Sequence, residues 1–306
     1  MKAVVLTGYG GIDKLEVRQW PDPHAGPNEV VVRMAAASIN PIDWKVRSGA
    51  PETARVDFPK ILGRDASGTV IEVGSGVTSF ALGDRVLGLV RAAYAELVAA
   101  SVESWAKVPP GLDLVFAGAL PLVLLTGAQL IEQAVNPAAG DTVLVTGAAG
   151  GVGRVAVYAA KERGARVWAG VRRSQRAQAS AVGADGVVAI DDDEDIAQLP
   201  TLDAIADTVG GNVMPKLLGK IRPGGIIGSV VGEPAGAKER GLTVRAFMVR
   251  PDPAMLGRYA SAVAQKKLSI PIAKTFPLER AGEAHKLAET GQPGGKVLLV
   301  VHSGSN

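Results

Sequence analysis

The sequence predicts an α/β protein in which a doubly wound parallel sheet is joined to a second, β-rich domain. Two observations predict this fold. The first hundred residues read as short strands separated by turns, whereas from about Asp113 onward strands and helices alternate. Such alternation is typical of a parallel sheet with helices on both faces. A chain of 306 residues, 47% apolar and 21% charged, is long enough for two domains and has the composition of a folded protein.

The N-terminal region is predicted to be irregular and largely antiparallel. Strands are expected at residues 3–6, 29–35, 66–73, 82–90 and 94–100, with glycine- and proline-rich turns between them. An uncharged run of 18 residues, 114–131, follows and contains Pro121. The proline favours a buried helical connection with a break over a membrane span.

The second region begins with a strand–helix–strand pattern. A strand at 141–146 precedes a helix at 152–163 with one apolar face, Gly164 ends that helix, and a strand at 166–171 follows. The remaining predicted elements are a helix at 174–184 closed by Gly183, strands at 187–190, within 202–211, at 224–232 and at 242–249, helices at 254–267 and 278–290, and a strand at 296–301.

A glycine-rich turn connects the first strand and helix of this region. The stretch TGAAGGVG contains the residues Gly147, Ala148, Ala149, Gly150, Gly151, Val152 and Gly153. Glycines allow a tight turn and a close approach of the backbone to a pyrophosphate, and the free N–H groups of the helix start face that anion. The turn therefore predicts a dinucleotide site; the alternative is a purely structural strand–helix turn.

The end of the next strand indicates which dinucleotide binds. An NAD site has an acidic residue about 20 residues after the glycines, on the ribose hydroxyls. This chain has Arg172, Arg173 and Arg176 there, and no Asp or Glu between Arg172 and Asp185. Arginine pairs with a 2′-phosphate through charge-assisted hydrogen bonds, so NADPH is favoured. Three solvated surface arginines are the alternative.

TGAAGGVG also fits the short-chain dehydrogenases, which begin with this motif and carry a catalytic YxxxK. Here the motif begins after some 145 residues. No tyrosine of the chain has lysine four places later: Tyr9, Tyr94, Tyr158 and Tyr259 precede Asp13, Val98, Glu162 and Val263. That family is therefore excluded.

A series of motifs along nearly the whole chain resembles the medium-chain dehydrogenase/reductase superfamily, specifically its zinc-independent quinone oxidoreductase-like branch. The motifs are NPIDW (40–44), GRDASG (63–68), GDRV (83–86), YAE (94–96), LP (120–121), LTG (125–127), AAGGVG (148–153), DTVGG (207–211) and GGKVL (294–298). The resemblance implies a GroES-like catalytic domain, residues 1–113 and 251–306, around a Rossmann dinucleotide-binding domain, residues 114–250.

The zinc enzymes of this superfamily have a Cys ligand near residues 40–43 and GHE where this chain has Gly63-Arg64-Asp65. This chain has no cysteine, and its three histidines, His24, His285 and His302, form no metal motif. No metal is expected. Without a Lewis acid to activate an alcohol, the expected reaction is hydride transfer to a quinone or an α,β-unsaturated carbonyl compound.

The resemblance also implies individual site residues. Asn40 is expected in the interdomain cleft near the nicotinamide ribose and the substrate; the alternative is a turn residue before Pro41. Tyr94 is a candidate donor of a proton or a hydrogen bond; the alternative is a packed strand residue. The further residues expected to face the cofactor are Thr126, Val209, Val230, Val231, Gly232, Phe247, Met248 and Val249. Asp43 is interpreted as a cap or turn residue.

One departure weakens the NADPH prediction. Many relatives have a tyrosine on the 2′-phosphate where this chain has Asp191, Asp192 and Asp193, and acidic residues repel a phosphate. Two other functions remain open: a non-catalytic NADPH-sensing or RNA-binding relative, and an enoyl-thioester reductase.

The surroundings of the protein are also predicted. Scattered basic residues at a net charge of +3 argue against nucleic-acid or membrane binding. The short apolar N-terminus indicates a cytoplasmic protein. A homodimer is expected by resemblance alone.

Overall fold

The computed structural model describes residues 1–291 and 293–301, so that His302 lies outside the described residues. The chain divides into two compact units. The first unit is Met1–Leu122 together with the chain from Arg250 onward, and the second is Val123–Val249.

The elements follow one another as the sequence pattern leads one to expect, with short additions. Up to α3, which crosses into the second unit, they are β1 (Lys2–Leu6), β2 (Leu15–Gln19), β3 (Glu29–Ser38), α1 (Pro41–Ser48), β4 (Lys60–Ile61), β5 (Asp65–Val73), β6 (Arg85–Leu89), β7 (Leu97–Ser101), β8 (Trp105–Lys107), α2 (Leu114–Ala117) and α3 (Pro121–Gln129). The second unit continues with β9 (Thr142–Thr146), α4 (Gly151–Glu162), β10 (Arg166–Val171), α5 (Arg176–Ala179), β11 (Gly186–Ala189), α6 (Asp193–Ala197), β12 (Leu202–Asp207), α7 (Met214–Leu217), β13 (Ile221–Ser229) and β14 (Thr243–Ala246). The chain ends with α8 (Pro253–Ala264), β15 (Ile272–Pro277), α9 (Ala281–Glu289) and β16 (Lys296–Val300).

The first unit is built on two sheets. One has the strand order β2-β1-β4, and the other has the order β15-β16-β3-β5-β6-β8 with β7 also paired to β3. Every pairing in them is antiparallel except β15 with β16. An apolar core joins four consecutive residues of β1, Ala3–Leu6, and alternate residues of β3 to Tyr94, Trp105 and the buried face of α9. The predicted β-rich fold of this region is confirmed.

Helix α1 is absent from the sequence prediction, which has Asn40-Pro41 as a turn. Pro41 occupies the first turn, where its missing N–H costs nothing, and Gly49 ends the helix in the left-handed conformation at φ 72°. Asp43 accepts a hydrogen bond from the Asn40 backbone N–H at 2.8 Å. Asp43 is therefore a capping residue, as interpreted from the sequence.

The second unit is a doubly wound parallel sheet with the order β11-β10-β9-β12-β13-β14. Successive strands run outward from β9 on one side and from β12 on the other. The carboxyl ends of β9 and β12 therefore meet at the topological switch point, where ligands bind in sheets of this kind. The predicted fold class is confirmed.

Two predicted helical stretches are interrupted. Pro121 separates α2 from α3, as expected, and the Asp113 carboxylate caps α2 by accepting from the Phe116 N–H at 2.8 Å. The helix predicted at 174–184 is reduced to α5 between short 3-10 turns, ended by Gly183 at φ 76°. None of the helices in the described ranges has both the length and the apolar content needed to cross a bilayer.

Candidate functional site

The glycine turn lies between β9 and α4 at the switch point of the second unit. Gly147 has φ 65°, a conformation that favours glycine, and a Cβ there would lie 2.5 Å from the Thr208 hydroxyl oxygen. A Cβ at position 153 would lie 2.2 Å from the Gly147 carbonyl oxygen. Gly153 is thus required for the helix to approach the turn, as the fingerprint predicts.

The start of α4 is suited to an anion. Its N-cap is Gly150, which has no capping side chain, and its first turn contains no acidic residue. The first N–H groups of a helix have no acceptor within the helix, and the helix dipole adds positive potential there. Ala148 and Ala149 are held by their backbones: the Ala148 N–H donates to the Gly170 carbonyl at 3.1 Å, and the Arg154 Nε–H donates to the Ala149 carbonyl at 3.0 Å. This geometry fits a dinucleotide pyrophosphate.

Asp207, at the end of β12, organises the neighbouring loops. Its fully buried carboxylate accepts from the Thr146 hydroxyl at 2.8 Å and from the Val209 and Gly210 N–H groups at 3.1 and 2.9 Å. Its second oxygen accepts from the Ser229 hydroxyl at 3.2 Å. One carboxylate thereby fixes the carboxyl ends of β9, β12 and β13.

The residues predicted to face the nicotinamide follow these strands. Val209, Val231 and Met248 are large apolar side chains exposed at the carboxyl ends of β12, β13 and β14, with Met248 82% exposed. Backbone hydrogen bonds position their neighbours: the Val230 N–H donates to the Asp207 carbonyl and the Phe247 N–H to the Ser229 carbonyl. Gly232 and Val249 continue the same loops. The strands thus present an apolar edge beside the glycine turn.

Thr126 belongs to α3 and is buried. Its hydroxyl has no hydrogen-bond partner in the described chain. The next residue, Gly127, packs against the first turn of α4, since a Cβ there would lie 2.7 Å from the Val152 carbonyl oxygen. An unsatisfied buried hydroxyl costs free energy, so Thr126 is a candidate for a hydrogen bond to a bound molecule.

The predicted 2′-phosphate residues follow β10, which pairs with β9 on one side and β11 on the other. Arg173 forms an ion pair with Asp192, and Arg176 forms one with Asp195. Arg172 forms no ion pair with residues 1–291 or 293–301. Asp192, in the acidic stretch that weakens the NADPH prediction, therefore engages Arg173, and Asp195, two residues beyond that stretch, engages Arg176.

In the first unit a buried polar cluster surrounds Asn40 at the start of α1. The Asn40 amide donates to Asp65 Oδ2 at 2.9 Å, and its carbonyl oxygen accepts from Lys296 Nζ at 2.6 Å. Lys296 also lies 3.1 Å from Asp65 Oδ2, and Ser38 donates to that oxygen at 2.5 Å. The Leu122 N–H donates to the other oxygen, Asp65 Oδ1, at 2.6 Å. Asn40 is 1% exposed, and the cluster fixes the orientation of its side chain. Its contact with a cofactor stays a prediction.

Tyr94 is fully buried against α1 and lies outside the strands, in the turn before β7. Its hydroxyl donates to Asp43 Oδ2 at 2.9 Å. Burial raises the pKa of Asp43 to about 6, against the opposing effect of its hydrogen bonds. Burial and the Asp43 carboxylate raise the pKa of Tyr94 well above its usual value. The phenol therefore keeps its proton, and its role as a donor to substrate stays a prediction.

His285 packs edge-on to Tyr94, with ring centroids 5.8 Å apart. Arg47 can only donate, and its Nη1 lies 3.2 Å from His285 Nδ1, so Nδ1 is the acceptor and Nε2 carries the hydrogen. Burial, together with Arg47, lowers the pKa of His285 to about 3. His285 is thus a neutral structural residue. His24 is exposed.

The residues present do not fit a zinc ion. At the position of the histidine in GHE, Arg64 donates from Nε to the Val90 carbonyl at 3.0 Å. Both Asn40 and Asp65 are hydrogen bonded to the Lys296 ammonium, a cation that repels a metal ion. Within the described ranges, no three His, Asp or Glu side chains are grouped to hold a metal ion.

Sequence reasoning missed Asp65, Lys296 and Asp207 as organising residues. Each is a charged residue at the end of a strand, DASGTVIEV, KVLLV or LDAIAD, whose neighbouring residues in the strand are small or apolar, and that position is the signal that could have identified them. The structure brings together the glycine turn, the arginines and the strand-end residues within the second unit. Asn40 and Tyr94 lie close together within the first.

Two family models match successive stretches of the chain. Residues 26–110 match the alcohol dehydrogenase GroES-like domain, and residues 182–299 match the zinc-binding dehydrogenase family. The 2-haloacrylate reductase of a Burkholderia species is 31% identical, over 97% of this chain and 98% of the reductase.

Solved structures are also similar. The quinone oxidoreductase from Coxiella burnetii superposes with a TM-score of 0.91 at 32% identity, over 99% of both chains. A mycobacterial protein determined in complex with NADPH has a TM-score of 0.84 at 26% identity, over 98% of this chain and all of the other.

Proposed function

The chain belongs to the medium-chain dehydrogenase/reductase family, in its zinc-independent quinone oxidoreductase-like branch, and on that premise we propose that it is an NADPH-dependent reductase of quinones or α,β-unsaturated carbonyl compounds. The observation that carries the proposal is the uncapped, glycine-lined start of α4 at the switch point, beside β10, the strand that leads to Arg172. The proposal assigns dinucleotide binding to residues 114–250 and substrate binding to residues 1–113 and 251–306.

The chain's own residues hold the nucleotide in this proposal. The turn 147–153 binds the pyrophosphate, Arg172, Arg173 and Arg176 bind the 2′-phosphate, and the loops after β12, β13 and β14 contact the nicotinamide. The Thr126 hydroxyl gains an acceptor. When bound, reduced nicotinamide would supply a hydride to a carbon or oxygen atom of the conjugated acceptor, and water or a weak donor would supply the proton that completes the reduction.

Asn40 and Tyr94 serve the substrate side as positioning residues. Lys296 and Asp65 fix both ends of the Asn40 amide, and Tyr94 holds its proton on the hydrogen bond to Asp43. No side chain in this arrangement is required to activate an alcohol. Orientation of the acceptor against the nicotinamide accounts for most of the proposed catalysis.

The activity is tested by NADPH oxidation with a quinone, an enone, a simple aldehyde and a crotonyl thioester. We expect turnover of the quinone or the enone and little with the aldehyde. Preferred turnover of the thioester would support the enoyl-thioester reductase instead. Tight NADPH binding without turnover of any acceptor would contradict the proposal and support a nucleotide-sensing protein.

The cofactor is tested separately by equilibrium binding. Replacing Arg172 and Arg173 by alanine should lower the preference for NADPH over NADH at least about tenfold, because two charge-assisted contacts to the 2′-phosphate are lost. Arg166→Ala, at the opposite end of β10, is the matched control and should leave the preference unchanged. An unchanged preference in the double variant would remove the assignment.

A further inference from the structure

The arginines after β10 face a row of carboxylates after β11. Asp192 pairs with Arg173, Asp195 pairs with Arg176, and Asp191 accepts from the Arg173 backbone N–H at 2.8 Å. The two ion pairs join the carboxyl ends of adjacent parallel strands, whose last paired residues are Val171 and Ala189. On its other side β10 pairs with the strand that leads into the glycine turn, with Gly170 opposite Thr146. The ion pairs therefore stand beside the proposed nucleotide site.

The carboxylates are the fixed partners in these pairs. Asp192 is the N-cap of α6 and accepts from the Glu194 N–H at 3.0 Å, and Asp195 accepts from the Ala189 N–H at 2.8 Å. The Asp192 side chain is 11% exposed, whereas that of Arg173 is 71% exposed. The arginines can turn toward a ligand, while the acids are held by the backbone.

We propose that Asp192 and Asp195 limit the preference for NADPH by competing with the 2′-phosphate for Arg173 and Arg176. A phosphate dianion that binds these guanidinium groups must lie near two carboxylates, and the repulsion offsets part of the attraction. Arg172, which forms no ion pair with the described residues, carries the discrimination that remains. The wild-type protein then binds both NADPH and NADH, with a modest preference for NADPH. This inference rests on the proposed function.

The test uses Asp192→Asn and Asp195→Asn in the full chain. Asparagine caps a helix as well as aspartate does, and its side-chain oxygen can still accept the backbone hydrogen bonds, so each change removes a charge and keeps the fold. The probes are NADPH against NADH, and adenosine 2′,5′-bisphosphate against adenosine 5′-monophosphate. Their dissociation constants require no turnover.

We expect Asp192→Asn to raise the preference for the 2′-phosphorylated probe about three- to tenfold, with little change in NADH binding. The gain should shrink at about 1 M salt, where charges are screened over roughly 3 Å. Asp193→Asn is the matched control, because the Asp193 side chain is 76% exposed and pairs with Lys216 at 2.7 Å rather than with an arginine. The preference of this variant for the 2′-phosphorylated probe should stay within about twofold of the wild type.

An unchanged or lowered preference in both Asp192→Asn and Asp195→Asn would overturn the inference, since the acids would then be neutral or would help to orient the arginines. The proposed function fails differently. If the wild-type protein binds no dinucleotide, or if Arg172→Ala leaves the preference unchanged, the site itself is wrong. If the preference for the 2′-phosphorylated probe changes in Arg172→Ala but not in the asparagine variants, only this inference is overturned.

Discussion

Lys296 is the cation of the buried polar cluster in the first unit. Its ammonium neutralises Asp65, which is fully buried and accepts three further hydrogen bonds. Lys296→Met should lower the free energy of unfolding by about 3–5 kcal/mol, because a buried carboxylate loses its cation. Denaturant unfolding measures this.

The control is the double variant Lys296→Met/Asp65→Asn. It removes both charges and should recover part of the lost stability, since replacing a buried pair costs less than breaking it. If the single variant unfolds at the wild-type denaturant concentration, the ion pair contributes nothing and the argument is wrong.

His285 and Asp43 should give the protein opposing responses to pH. The folded His285 stays neutral down to about pH 3, whereas its unfolded form takes up a proton near pH 6.5, so its contribution to stability is lost as the pH falls below 6.5. Asp43 ionises near pH 6 when folded and near 3.8 when unfolded, so its contribution is lost as the pH rises from 3.8 to 6. The two effects largely cancel between pH 4 and 6.

Substituting either residue should expose the other effect. Relative to the wild type, His285→Gln should gain up to about 3 kcal/mol on going from pH 6.5 to pH 4, while Asp43→Asn should lose a similar amount. Denaturant unfolding at both pH values measures the two differences. Parallel stability profiles for both variants and the wild type would show that neither group titrates differently on folding.

At the scale of elements, the contact between β9 and α4 depends on one glycine. Gly153→Ala places a methyl group 2.2 Å from the Gly147 carbonyl oxygen, so the turn must open. We expect the free energy of unfolding to fall by roughly 1–3 kcal/mol, so that the melting temperature falls by several degrees. Dinucleotide binding should weaken at least about tenfold. Scanning calorimetry and equilibrium binding provide the two readings.

Gly257 in α8 is the matched control for that prediction. Its nearest neighbour to an added Cβ is the Ala106 methyl group at 4.0 Å, so the alanine has room. Gly257→Ala should be neutral or stabilise the protein by about 0.5–1 kcal/mol through helix propensity. If both variants behave alike, close packing at Gly153 does not explain its presence.

The sequence was most informative about elements and least informative about contacts across long separations. Periodicity and glycine spacing were sufficient to predict β9, α4 and β10 with their turn, because those signals are local. Helix α1 was not predicted from the sequence because Asn40-Pro41 is equally typical of a turn and of a helix start. The meeting of residues 40, 65 and 296 depends on strand pairing, which no local pattern encodes. The pairing of Arg173 with Asp192 likewise needs the order of the strands.

At the scale of the whole molecule, the resemblance predicts a homodimer paired through the second unit. The edge strand β14 pairs with β13 alone among the described strands. An unpaired edge is available to a second copy of the chain. Light scattering at micromolar concentration should give twice the chain mass of 31.4 kDa. A mass of one chain at that concentration would contradict the prediction.

The packing of β10 against β11 has a spectroscopic consequence. Of the four tryptophans in the sequence, Trp20, Trp44 and Trp105 belong to the first unit and Trp168 to the second. The Trp168 ring covers Gly186, where an added Cβ would lie 2.8 Å from it. Trp168 stands on the strand that leads to Arg172. With the other three tryptophans replaced by phenylalanine, the tryptophan fluorescence of the protein would come from the second unit alone. It would report changes around β10 and β11 during nucleotide titration or unfolding.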